Sequence, residues 1–216
     1  MRKLIILFML SVLQLFTCAT NQTKLRITTA VDADVIPRTI GVYPFLSAPI
    51  TPTIKRYPQS RADDYMQQIK VKDEKIYITA PAESKLEVTP YSQMLTGFIS
   101  VELANYGFDL RELPVEITDT NSSVGKKKNE FVISLALLQK LRDEYGLQAI
   151  LIGNVYFVND PYDKVAKKVS ALYAKVIEIE SLKVICQISK PFDEYGESME
   201  RVSAEIAAVL CNMVGL

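Results

Sequence analysis

The sequence predicts an α/β (α+β) sandwich, a mixed β-sheet in the order βαβαβββα with helices packed on it. Three observations carry that expectation. Two segments with helical apolar period each end in Tyr-Gly, at Tyr106-Gly107 and Tyr145-Gly146, and each is followed by a strand-like run. Residues 148–158, 168–179 and 183–189 are then three strand-like runs separated by short polar turns, the pattern of a β-meander. A closing helix over 198–213 carries Val202, Ile206, Val209, Leu210 and Met213 on one stripe.

The chain begins with Arg2 and Lys3 and then an apolar run, LIILFMLSVLQLF, over residues 4–16. The run is too short to cross a bilayer, which takes roughly 20 apolar residues. It reads as the core of an export signal over 1–17. At its polar border the order Leu15-Phe16-Thr17-Cys18 resembles a bacterial lipobox, which implies a lipid on the Cys18 thiol. Ordinary cleavage elsewhere and an uncleaved anchor are the alternatives. Ala19 after the cysteine points, by the rule for such lipoproteins, to the outer membrane. Residues 18–37 have no sustained apolar period and read as a tether of at most about 70 Å.

A single domain is expected over 38–216. Its first strand lies in RTIGVYPFL and stops at Pro44. Residues 47–89, broken by Pro49, Pro52, Pro58 and Pro81, read as a long insertion with two short strands, KIYIT and KLEV, and together with the loop 159–167 are expected to carry the working surface. Pro90 opens a helix with Leu95, Phe98, Ile99 and Leu103 on one face, and Gly107 can end it in the left-handed conformation. FDLRELPVEI follows as a strand, then the polar loop TDTNSSVGKKKN. A second helix is expected over 129–145, with Ile133, Leu137, Leu138, Leu141 and Tyr145 buried, ending at Gly146.

The 216 residues are 49% hydrophobic and 23% charged, enough for one sizeable core. Formal net charge is zero, and losing Arg2 and Lys3 with the signal leaves 23 basic against 25 acidic residues, so nothing draws nucleic acid. The chain has no histidine, which removes the commonest general base and zinc ligand. Ser92, Ser134 and Ser203 lack a histidine partner and no Ser-x-x-Lys is present, so no enzyme activity and no cofactor is expected. Asp32, Asp34, Asp160 and Asp163 read as solvated turns rather than a calcium loop, and Lys126 to Lys128 as a solvated loop. Cys186 and Cys211 read as small core residues, a disulfide between them being the alternative.

The order TIGVYPF, a helix ending in NYGF, then LLQKLRDEYGLQAILIGNVYFV, VSALYAKVIEIESLKVICQIS and a terminal amphipathic helix resembles the curli-secretion lipoprotein (CsgG-type) superfamily. The strongest piece is 141–155, with Gly153 at the family's glycine. Pro114 departs from the family's longer strand at that place. Pore-forming members carry two long amphipathic hairpins, and neither NDPYDKVAKK nor residues 75–88 supply one. The resemblance therefore implies a member nearer the flagellar outer-membrane and penicillin-binding-protein-activator lipoproteins. It implies a non-catalytic lipid-anchored protein of the outer membrane facing the periplasm, bound to the membrane through Cys18 and to an envelope protein partner, with a homo-oligomer left open. A periplasmic enzyme or ligand-binding protein and a pore subunit are the alternatives. Tyr57, Tyr65, Tyr77 and Tyr162 are the candidate partner surface, since exposed aromatics give contact area at little entropy cost. One of the neighbours Tyr156 and Phe157 is expected to face the core.

Overall fold

The meander of long strands supplies the centre of the structure, a computed structural model that describes residues 26–29, 37–47, 69–79, 86–113, 130–160, 162, 166–191, 193 and 195–214. Strands β8 (Ala149–Asn159), β9 (Lys167–Glu178) and β10 (Val184–Lys190) pair antiparallel in sequence order. Residues 149–156 of β8 are buried without interruption. A strand covered on both faces needs no polar alternation.

The other strands before them are β1 (Arg26–Thr29), β2 (Thr39–Val42), β3 (Leu46–Ser47), β4 (Ile69–Lys72), β5 (Lys75–Thr79), β6 (Asp109–Glu112) and β7 (Glu130–Ser134). Helices are α1 (Pro90–Asn105), α2 (Leu135–Tyr145) and α3 (Met199–Val214). The main sheet has seven strands in the order β1-β10-β9-β8-β2-β6, with β3 also on β8. Strand β2 runs parallel to both β6 and β8, and the remaining long pairs are antiparallel, so the sheet is mixed. A smaller sheet has the order β4-β5-β7.

Connection handedness explains the layers. From β2 through α1 to β6 the chain steps one way across the sheet, and from β6 through α2 to β8 it steps back past β2. Right-handed crossovers in opposite directions put their helices on opposite faces. Accordingly Leu95, Ile99 and Leu103 of α1 join Val202, Ile206 and Leu210 of α3 in one core cluster, with Ile40, Leu151, Val176 and Ile188 from the sheet. Leu138 and Leu141 of α2 join Ile69, Ile76, Ile78 and Ile133 of the small sheet in a second cluster, against Ile150, Ile152, Tyr173 and Ile177. The molecule thus has three layers, two helices, the main sheet, and the small sheet with α2.

The predicted sandwich is present, with corrections of detail. Residues 130–134 are strand β7, not the first turns of a helix. Phe131, Val132 and Ile133 are aromatic and β-branched and pair with Ile78, Tyr77 and Ile76 of β5. Helix α2 begins only after Ser134, whose hydroxyl accepts the N–H of Leu137 at 3.3 Å. Tyr145, expected to be buried, is 48% exposed. The insertion is partly core: Ile69, Ile76 and Ile78 are buried, so β4 and β5 belong to the packing and do not merely decorate it. Among the described residues of KLEV, 86–88, only Glu87 pairs, in a single bridge to Ser47. Within the stretch read as a tether, Arg26–Thr29 forms the edge strand β1 on β10.

Both predicted glycine stops hold: Gly107 has φ +86° and Gly146 φ +68°. Helix α1 starts with a capping box, Thr89 Oγ1 accepting from Ser92 N at 3.2 Å and Ser92 Oγ accepting from Thr89 N at 2.9 Å. Cys186 and Cys211 are both buried and are not bridged by a disulfide. Gly153 lies under the Phe45 ring, where an added Cβ would stand 2.3 Å from Phe45 Cε1 and 2.8 Å from the Tyr173 carbonyl oxygen. Tyr156 and Phe157 both find cover, Tyr156 in the second cluster and Phe157 against the first, because the sheet has two covered faces and a register shift separates the pair.

Candidate functional site

Helix α1, PYSQMLTGFISVELAN, contains one charged residue, Glu102, in 16. Its inward side is accounted for by Leu95, Ile99 and Leu103. The outward side carries Met94, 47% exposed, and Val101, 60% exposed, with Ala104 exposed and Gly97 between them. Spacings of three, four and three residues put these four on one stripe. Nothing stands within 4 Å of a Cβ built on Gly97, so the stripe has an open notch at its middle. A helix apolar on both sides is ordinarily buried on both.

The second exposed feature is the end of the sheet where β8 turns into β9. Asp160 there accepts the Tyr162 N–H at 2.8 Å and pairs with Lys168 Nζ at 3.0 Å. Nearby, β10 hands over to α3 through a segment that bridges Glu197 to Val169. Glu197 makes an ion pair of 3.3 Å with Lys190, and both side chains are nearly closed off from water. The Lys190 ammonium is thus held in the core by a partner that α3's leading segment supplies. Tyr91 at the start of α1 packs on Phe157 with ring centroids 6.2 Å apart, and Lys167 Nζ lies 5.8 Å from the Tyr91 ring centre.

On the other face of the sheet, Lys175 reaches from β9 to donate to the Ile69 carbonyl at 2.8 Å, which ties the small sheet to the main one. Burial lowers its pKa from the ordinary lysine value. Cys186, under the two-helix layer, has its thiol pushed up to about 11 by burial. It is a packing group at neutral pH, not a nucleophile.

The sequence candidates fall unevenly on this structure. Cys18, Tyr57, Tyr65, Asp32, Asp34, Asp163 and Lys126 to Lys128 lie outside the described residues. Tyr77 is half-buried on β5, opposite Lys70 and Val132. Tyr162 is 94% exposed at the hairpin, so the two described tyrosines sit on separate elements. Among the described residues no three His, Cys, Asp or Glu side chains converge as a metal site, and no helix is long and apolar enough to cross a membrane. Two features escaped the sequence reading: the near-absence of charge in α1, whose signal was in the sequence, and the Asp-x-Tyr turns at 160–162 and 193–195, which the sequence does not single out because Asp-x-Tyr also occurs at 63–65 and 143–145.

No family model matches the chain, and no curated protein matches it by sequence. Among solved structures it is similar to a PelC dodecamer from Paraburkholderia phytofirmans at 12% identity and TM-score 0.41, over 89% of this chain and 99% of that one. It is also similar to lipoprotein GNA1162 from Neisseria meningitidis at 12% identity and TM-score 0.35, over 82% of this chain and 96% of that one. These likenesses are loose and show no shared function.

Proposed function

We propose that this chain is a lipid-anchored bacterial envelope protein that works without catalysis, by binding and assembly at the outer membrane. The observation that carries the reading is the outward face of α1. Met94, Val101 and Ala104 stand around the notch at Gly97 on a helix with a single charge, and such a face is stabilised by contact with another apolar protein surface. The sequence supports the anchor, since a basic start, an apolar run and a cysteine at its polar border coincide at Cys18. The resemblance to the curli-secretion lipoprotein superfamily belongs to this reading and rests on the order of motifs from TIGVYPF to the terminal helix. The total lack of histidine argues in the same direction, away from acid-base chemistry.

A photo-crosslinking amino acid placed at Val101 in cells should give a discrete adduct, and the same group at Ala204, exposed on α3, should give none. An adduct at twice the chain mass identifies a second copy, and any other discrete mass identifies a different envelope protein. Equal yields at the two positions, or no adduct at Val101, would overturn the assembly reading. Labelled fatty acid should enter the wild type and not Cys18→Ser; equal labelling would remove the anchor.

A further inference from the structure

The direction of β1 fixes the end of the main sheet from which that strand starts. Arg26 lies opposite Ser189 and Thr29 opposite Cys186, antiparallel to β10. Since β10 is antiparallel to β9, β1 runs the same way as β9, whose first residue, Lys167, is at the β8-β9 hairpin. The chain therefore comes into β1 from the hairpin end.

Chain length limits how far the lipid can reach. Eight residue steps separate Cys18 from Arg26, a span of at most about 28 Å. Arg26 shares a row with Ser189, Tyr173 and Asn154, and Asn159 is five strand residues further toward the hairpin, about 17 Å. A lipid on Cys18 can thus reach past Asn159, the last residue of β8. The opposite end, at Glu178, is also five residues from that row, but the chain would have to reverse beside the domain and would retain only about 11 Å.

The hairpin end also presents two tyrosines by one repeated device. In Asp160-Pro161-Tyr162 and Asp193-Glu194-Tyr195 the Asp carboxylate accepts the tyrosine N–H two residues on, at 2.8 and 2.9 Å. Each turn is fixed to the sheet, the first through Lys168 and the second through the Asp193 N–H to the Ser170 carbonyl at 2.9 Å. Tyr162, 94% exposed, and Tyr195, 67% exposed, are the two most exposed large apolar side chains among the described residues. An amphipathic phenol ring is suited to the headgroup level of a bilayer.

We propose that the hairpin end is the membrane-facing end, with Tyr162 and Tyr195 seated among the headgroups of the bilayer that holds the lipid on Cys18. This rests on the reading of Cys18 as the anchor. It gives Tyr162 a lipid surface rather than a protein as its contact. Helix α1, which runs from Tyr91 near the hairpin to the far end before β6, then stands upright on the membrane, with its apolar face turned sideways to neighbours on the same surface.

The chain contains no tryptophan, so single substitutions serve as probes. Lipidated full-length Tyr162→Trp, Tyr195→Trp and Tyr145→Trp are placed in vesicles of phosphatidylethanolamine and phosphatidylglycerol with brominated acyl chains. Emission at 162 and 195 should fall about twofold relative to unbrominated vesicles, with a blue shift, while Tyr145→Trp stays unquenched. Proteins that float with the vesicles yet show no quenching at 162 and 195, or as much at 145, would overturn the orientation and leave the anchor standing. Failure of all three to float, with no acyl mass on Cys18, would overturn both.

Discussion

Helices α1 and α3 have the same length, 16 residues, and pack into the same core cluster on the same face of the sheet. Their outward sides differ. Helix α3 turns Glu200, Arg201, Ala204 and Asn212 to water and joins Arg201 to Glu205 at 3.2 Å across one turn. Helix α1 turns out Met94, Val101 and Ala104, with the uncharged polar Gln93 and Asn105 beside them. Packing and solvation account for the whole of α3's sequence, whereas in α1 they account for the inward half only. The outward half is where the proposed partner is placed, and the two helices calibrate each other because length and layer are shared.

The largest effect should come where α3 is fastened down. Glu197→Ala leaves the Lys190 ammonium buried without its carboxylate, and thermal or denaturant unfolding should show a loss of about 3–5 kcal/mol. Joint replacement by Lys190→Met and Glu197→Leu should restore most of it. If the single variant were as stable as wild type, the pair would not hold α3 and the comparison would lose one of its terms.

Next come the inward faces, where the helices should behave alike. Ile99→Ala in α1 and Ile206→Ala in α3 each empty a fully buried position and should each lose about 2–5 kcal/mol by denaturant titration. A much smaller loss for Ile99→Ala would mean that α1 is not a core helix at all, and its apolar outward face would need no partner to explain it.

Alkaline pH separates the two faces of the sheet. Cys186, under the helices, has a folded pKa of about 11 against a reference of 9.0, so its contribution is complete below 9.0 and is lost as pH rises toward 11. Lys175, on the other face, has a lowered folded pKa, so the penalty for burying its charge is present at neutral pH and is relieved as pH climbs toward 10.5. Between pH 9.0 and 10.5 the two oppose. Cys186→Ala should therefore flatten the alkaline fall in stability, and Lys175→Met should steepen it. The same pH profile for both variants would refute the assignment.

The smallest stability effect belongs to the outward faces, and it is the most telling. Val101→Lys and Ala204→Lys should each stay within about 0.5 kcal/mol of wild type in unfolding. Only Val101→Lys should reduce the size of detergent-extracted assemblies by light scattering. Equal behaviour of the two would erase the distinction between the helices.

The sequence makes the meander and the last helix legible because their apolar periods are long and their turns short. It hides β7 because EFVISLALLQ is one apolar stretch: a strand and a helix meet at Ser134 with no Gly or Pro between them, and the helical period runs through both. Strand β4 is hidden by its lysines, IKVK, and by a tight turn at Asp73 and Glu74, where both residues take positive φ, 50° and 58°, without the glycine that usually marks it. Strand β1 has no local signal, since RITT gains its order from β10 far along the chain. Of the candidate surface, Tyr162 is exposed as a Pro-bounded turn suggests, but a face such as that of α1 is visible only once the inward side is known.

The place of β2 also has a consequence in time. It lies between β6 and β8, with Ile40 beside Leu110 on one side and Ala149 on the other, and β1, which precedes it in the chain, waits for Cys186 to Ser189. Contacts so far apart along the chain form late and slowly. A chain emerging amino-terminus first can close its small sheet once β7 has appeared, but it can hold no finished main sheet until β10, its last strand, is available, so the two sheets are completed in sequence and not together.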